Sequence, residues 1–200
     1  MNACKVLELI ELNKIKVLKN CAIEEIKQCE IKLKNGVSEL QRYKLASKYL
    51  KKVHKSTSDE SFYTAWTEEG YQCFCDGYTG FLLKNHIPGI NVSCQDKFSL
   101  LEIYKNLKCN NYTEFKIDFN DVNAQLKMSK AQKIKTCRYY VNEKCYNAAY
   151  IMDCFKILGG KEVTFTQPTS NKKMSPAILE NNNGIALLSP IKEPKNNKCN

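Results

Sequence analysis

The sequence predicts an α+β fold of repeated helix plus antiparallel β-meander units, with an extra N-terminal helical segment in front. Three observations predict it. Apolar residues recur at steps of three and four in stretches that begin near positions 41, 96 and 146. Aromatic and β-branched residues crowd into short runs between glycine-bearing turns after each of those stretches. The helix starts are spaced about fifty residues apart, a repeat of period without obvious repeat of residue identity. A chain of 200 residues buries a full core without a metal or a disulfide.

From Cys4 to Lys34 there is neither proline nor glycine, and Ile15, Leu18, Ala22, Ile26, Cys29 and Leu33 make a helical seam that ends at Gly36. This segment, residues 1–38, needs a packing partner, either another helix or a second copy. Ser38 is placed to cap the next helix, with Tyr43, Ala46, Leu50 and Val53 inward. Lys44, Lys48, Lys51 and Lys55 fall at steps of four, three and four on another face, with Lys52 beside them, and form a cationic ridge. Strands are expected over 61–67, 71–75 and 81–85, separated by turns at 68–70 and at Asp76-Gly77-Tyr78, with Trp66 in the core. A helix over 95–107 follows, then strands over 112–119, 122–128 and 136–141. Ala148, Ile151, Phe155 and Leu158 mark the last helix, which Gly159 and Gly160 stop before strands over 161–167, 175–180 and 184–191. The expected organisation is a helical segment (1–38), an α+β domain (39–192) with helices on one face of a sheet, and a polar tail (193–200).

The net charge of +10 is almost all lysine, since only Arg42 and Arg138 are arginine. Much of it reflects a lysine-, asparagine- and isoleucine-rich composition of the kind an AT-rich genome writes. Position is more informative. Residues 1–55 hold 13 basic against 6 acidic residues, and the remaining chain 18 against 15. The eleven cysteines include no CxxC pair and have two histidines to join them, so neither a metal nor another cofactor is expected, and most of the thiols read as buried in a reducing cytoplasm. No uninterrupted apolar run is long enough to span a membrane, and Glu8, Glu11 and Asn13 break the amino terminus before a signal core, so a cytoplasmic protein is expected. Catalytic residues are not assigned. His54 and His86 have no nucleophile or carboxylate at a useful spacing, Asp118 and Asp121 flank a turn, and Gly159-Gly160-Lys161 follows a helix where a phosphate loop would precede one.

The stretch CRYYVNEKCYNAAYIMDCFKILGGKEVTFTQ, with the later SPAILENNNGIALLSPIKE, resembles the closing segment of bacterial and phage sliding clamps, the β subunit of DNA polymerase III. Asn147, Tyr150, Asp153 and Leu158 lie at the family's helix positions, and Leu187, Leu188, Ser189, Pro190 and Ile191 at its terminal motif. Asp76, Gly77 and Tyr78 look like the family's strand-connecting turn. The resemblance implies a DNA-clamp-like fold, helices toward duplex DNA, and a role in DNA replication. It covers about half of a bacterial clamp chain, so a partial or single-domain form that needs further copies, a homo-oligomer, is expected. On that basis Lys44, Lys48, Lys51, Lys52 and Lys55 are the candidate contacts to double-stranded DNA, and Leu188, Pro190 and Ile191 the candidate site for peptides of replication proteins. The alternative is a protein-interaction module that keeps the fold without encircling DNA and docks through its N-terminal helix.

Overall fold

The computed structural model describes residues 38–56, 64–93, 99–169 and 175–192. The N-terminal helix expected before Ser38 and the tail over 193–200 lie outside the described residues. The chain runs α1 (Glu39–Ser56), β1 (Ala65–Glu68), β2 (Tyr71–Cys75), β3 (Thr79–Leu83), β4 (Val92–Ser93), α2 (Leu100–Lys108), β5 (Tyr112–Phe115) and α3 (Phe119–Ala131). It continues through β6 (Arg138–Val141), β7 (Lys144–Asn147), α4 (Ala148–Ile157), β8 (Thr164–Pro168), β9 (Ala177–Asn181) and β10 (Gly184–Leu188). The architecture is α+β, with one large mixed sheet.

Eight strands form that sheet in the order β4-β1-β2-β3-β10-β9-β8-β5, and β6 pairs with β7 in a separate hairpin. Among the described residues only the β1–β4 ladder is parallel. Two stretches share one plan, a helix followed by a three-strand meander: α1 with β1, β2 and β3, and α4 with β8, β9 and β10. They meet where β3 runs antiparallel to β10, Leu83 opposite Gly184 and Thr79 opposite Leu188.

The alternation of side chains divides the core in two. Phe74, Phe81, Leu83, Leu179, Ala186 and Leu188 face α1, α3 and α4. Trp66, Cys73, Cys75, Leu82, Ile178, Ile185 and Leu187 face the other way and meet Leu100 and Leu101 of α2. The expectation that all helices cover one face is therefore corrected: α2 lies on the opposite side. A sheet whose central strands are buried on both faces needs cover on both, and Gly80 makes room, since a Cβ there would stand 2.9 Å from Leu100 Cδ2.

The strand expected over 122–128 is instead part of α3. Val122 and Leu126 satisfy a period of two and a period of four equally well. Ala124 and Met128 separate the two, because a half-buried strand would turn them inward and both are exposed. Asp118 begins the helix, its Oδ1 accepting from the Asn120 N–H at 2.8 Å.

Helix termini follow the sequence signals. Ser38 Oγ accepts from the Gln41 N–H, and Asn147 Oδ1 from the Ala149 N–H. α4 closes with paired bonds from Gly159 N–H to Lys156 O and from Gly160 N–H to Phe155 O, and Gly159 sits at φ 74°, where a side chain is disfavoured. α1 lies antiparallel to α4, for Arg42 near its start reaches Ile157 at the far end of α4, while Tyr49 reaches Asp153 and Tyr150.

Arg42 is fully buried and donates to Ile157 O at 2.8 Å, Asn85 O at 3.1 Å and Glu39 Oε1 at 2.6 Å. Arg42→Met strands the Glu39 carboxylate and two carbonyls, and urea denaturation is expected to show a loss of about 3–5 kcal/mol. Gly184→Ala places a methyl against the backbone of Leu82 and Leu83 and is expected to cost about 1–3 kcal/mol in the same measurement. A wild-type midpoint in either variant contradicts the packing described.

Candidate functional site

Among the described side chains of α1 the exposed ones are Gln41, Lys44, Lys48 and Lys51, one line along the helix opposite the buried Arg42, Ala46 and Tyr49. The line follows from the helical period, since Ala46 and Tyr49 are drawn onto the sheet and Tyr49 packs edge-on against Phe81 at 5.4 Å. None of the three lysines forms an ion pair with a described residue. Lys44 and Lys51 stand about 10 Å apart along the axis. Lys52 and Lys55 continue on the helix backbone, and their side chains lie outside the described residues.

α4, beside α1, presents only Ala149 and Lys156 to solvent. Asp153 is half-buried and turned toward α1, where Tyr49 donates to its Oδ2 at 3.4 Å. α3 flanks α4 and exposes Lys127 and Lys130. Cations therefore line α1 and α3 while the helix between them is close to neutral, which sequence reading of α4 alone does not show.

The terminal motif splits between the two faces of the sheet. Leu188 is fully buried in the core beneath the helices, Pro190 is buried, and Ile191 is half-buried with its N–H bonded to Cys145 O at 2.9 Å. Leu187 and Ser189 face the opposite way and line a cleft of about 300 Å³ with Tyr78, Gly80, Ile103 and Pro176. The cleft wall is stiff: Asp76 Oδ1 accepts from the N–H groups of Tyr78 and Thr79, Gly77 takes φ 82°, and Ser189 N–H bonds to Tyr78 O at 2.9 Å. Tyr78 and Ile103 remain 59% and 38% exposed at its rim. Sequence reading placed Leu187 in the motif and Tyr78 in a turn without giving either a part in the site, and missed Ile103; period-two alternation along 184–188 was the signal that separates Leu187 from Leu188.

Among the described residues the remaining polar candidates have local partners, and the His54 side chain lies outside them. His86 Nε2 donates to Gly70 O at 2.9 Å, Asp121 accepts from Tyr139 Oη at 2.8 Å, and Lys161 lies over the Phe119 ring at 5.3 Å. Among the described residues no three histidine, cysteine or acidic side chains gather as metal ligands, and no helix is long and apolar enough to cross a membrane. Cys73 and Cys75, two apart on β2, share the face under α2, as their spacing requires. Comparison of the chain with family models, curated proteins and solved structures finds no match.

Several buried acids, Tyr49, Tyr146 and Cys154 among them, hold their protons against alkali because burial disfavours the charged form, and Cys73 and Tyr139 are two that flank these sites. Loss of water beneath α2, then the nearby Glu68, pushes the Cys73 thiol from 9.0 up to about 12. Burial, then the hydrogen bond to Asp121, pushes the Tyr139 hydroxyl from 10.0 up to about 12. Both groups hold their protons more tightly folded than unfolded, so the stability they contribute is whole below pH 9 and is lost between pH 9 and about 12. The urea midpoint is expected to fall across that window. Cys73→Ala should shrink the part of the decline that begins near pH 9, to which Cys154 also contributes, and Tyr139→Phe a part that begins one pH unit later, whereas identical profiles for all three proteins refute both assignments.

Proposed function

We propose that this chain is a non-enzymatic, sliding-clamp-like protein of phage or mobile-element origin that acts in the cytoplasm, contacts double-stranded DNA without reading its sequence, and tethers replication proteins. The observation that carries the reading is the outward row Lys44, Lys48 and Lys51 on the helical side of a sheet built from two helix-plus-meander halves. Each lysine is a point charge on a flexible stem, suited to any phosphate in reach, and binding gains from the counterions it releases. Lys52 and Lys55 follow on the backbone of the same helix. The order of turn, helix and terminal strand in the sliding-clamp resemblance, carried by Asp76 to Tyr78, Asn147 to Leu158 and Leu187 to Ile191, supports the same reading.

Partner tethering is assigned to the cleft beside the terminal motif. Leu187 and Leu100 offer an apolar floor to a peptide side chain, with Ile103 at the rim, and Leu188, Pro190 and Ile191 fasten the terminal segment that forms its wall. Closing a ring requires other copies to pair at the sheet edges β4 and β5, where Val92, Thr113 and Glu114 are exposed. A second reading is an interaction module that no longer encircles DNA and docks through residues 1–38. The near-neutral outward face of α4 favours it.

Titration of duplex DNA over a range of salt concentrations tests the first reading. Five lysine contacts give a slope of log K against log salt of about −4 to −5, and K44Q/K48Q/K51Q should reduce its magnitude by about 2.7. A flat salt response in the wild type, or a slope the triple variant leaves unchanged, removes the DNA role. Light scattering then separates the readings, a closed oligomer supporting the clamp and a dimer that dissociates on deletion of residues 1–38 supporting the module.

A further inference from the structure

The joint between the two helix-plus-meander halves contains a dipeptide open to chemical rearrangement, Asn183–Gly184. Asn182 and Asn183 form the two-residue turn between β9 and β10, and Asn183 N–H bonds to Asn181 Oδ1 at 2.9 Å. The Asn183 side chain is engaged at both of its polar atoms. Its Nδ2 donates to Leu158 O at 2.7 Å, and its Oδ1 accepts from Asn85 Nδ2 at 2.6 Å. Its main-chain oxygen accepts from the N–H groups of Lys84 and Asn85, so this one residue fastens the end of β3, the start of β10 and the end of α4.

An asparagine followed by glycine can close a ring on itself. The glycine nitrogen gives its proton to water and attacks the asparagine Cγ, and the Cγ–Nδ2 bond breaks with its electrons going to nitrogen, which takes a proton and leaves as ammonia. Water then opens the succinimide to aspartate or isoaspartate. Glycine favours the attack because no side chain hinders its approach. Among the described residues Asn183 is the one asparagine that glycine follows. The closed joint opposes the reaction: Gly184 lies in register between Asn181 and Leu83, and the amide must leave Leu158 and Asn85 before Cγ turns toward the glycine nitrogen.

We propose that Asn183 is a modification site, deamidated when this joint opens, and that the product unties the two halves. A carboxylate in place of the amide is an acceptor only, and it faces Leu158 O at the negative end of α4. Isoaspartate also adds a carbon to the main chain just ahead of β10, where Gly184 is packed against the backbone of Leu82 and Leu83. Ring closure is slow beside local opening, so its rate follows the population of the open joint. Each chain that reacts stays modified. The site is independent of the lysine row and of any partner in the cleft.

Mass spectrometry of peptides from the full chain, incubated in mildly alkaline buffer with and without guanidinium chloride, tests the site, and fragment ions separate Asn183 from Asn181 and Asn182. Asn183 should convert at least about tenfold more slowly in the native chain than in the denatured one. N85A, which frees Asn183 Oδ1, should speed the native reaction several-fold and leave the denatured rate unchanged. N183D should lower the urea midpoint by about 1 M, whereas N182D, at the exposed position of the turn, should leave it within error. A native rate equal to the denatured one overturns the proposal, because the joint then gives no protection. So does a wild-type native rate in N85A, and so does a wild-type urea midpoint in N183D. A chain carrying N183D that fails to fold meets the expected loss of stability, and the two rates in the wild-type protein still decide whether the joint controls the reaction.

Discussion

The carbonyl end of α4 is where the two halves of the molecule are tied. A helix leaves its last carbonyls without partners inside the helix, and burial makes that costly. Here both halves supply the donors. Arg42 of α1 takes Ile157 O, while the amides of Asn183 and Asn181 take Leu158 O at 2.7 Å and 3.2 Å. Asn183 O in turn accepts from the N–H groups of Lys84 and Asn85, and Asn85 O returns to Arg42. The guanidinium also sits at the negative end of the α4 dipole, which favours its charge. One network thus joins the end of β3, the turn before β10, α1 and α4.

Two properties of the surface follow from that tie. With α1 held against α4 and its apolar side fixed by Tyr49 on Phe81, the α1 lysines have only the outward direction left. The register of β3 on β10 sends Leu188 toward the helices and Leu187 to the other face. The cleft therefore opens on the side of α2, behind the sheet from the lysine row. Contacts to a duplex and to a tethered peptide would occupy opposite faces and would not compete for room.

The stretch from α2 to α3 is distributed over three places: α2 under the sheet, β5 at its far edge and α3 beside α4. Covering the second face of the sheet is structural work that α2 does with Leu100 and Leu101. α3 buries Val122 and half-buries Leu126, which leaves its cationic end on the surface. The exposed Met128 is a consequence of a helix that lacks enough apolar residues to be enclosed on all sides.

Neighbours along the chain determined a good deal by themselves. The helical period of Tyr43, Ala46 and Leu50, the caps Ser38 and Asn147, the Asp76-Gly77 turn and the stop at Gly159 each act within a few residues, and all are legible in order. Period also placed Cys73 and Cys75 on one face and the lysines on one line. Where two periods agreed on the same residues, as Val122 and Leu126 do, the pattern was silent, and a helix read as a strand. Only the tertiary structure decided which face of each buried strand meets which helix, that the helix near residue 100 crosses beneath the sheet, and that Leu187 opens to a cleft while Leu188 does not. The reason is physical: a strand buried on both sides has no polar face to orient it, so its direction is set by hydrogen-bonded partners a hundred residues away, such as β3 for β10, and by the helices that arrive to cover each side.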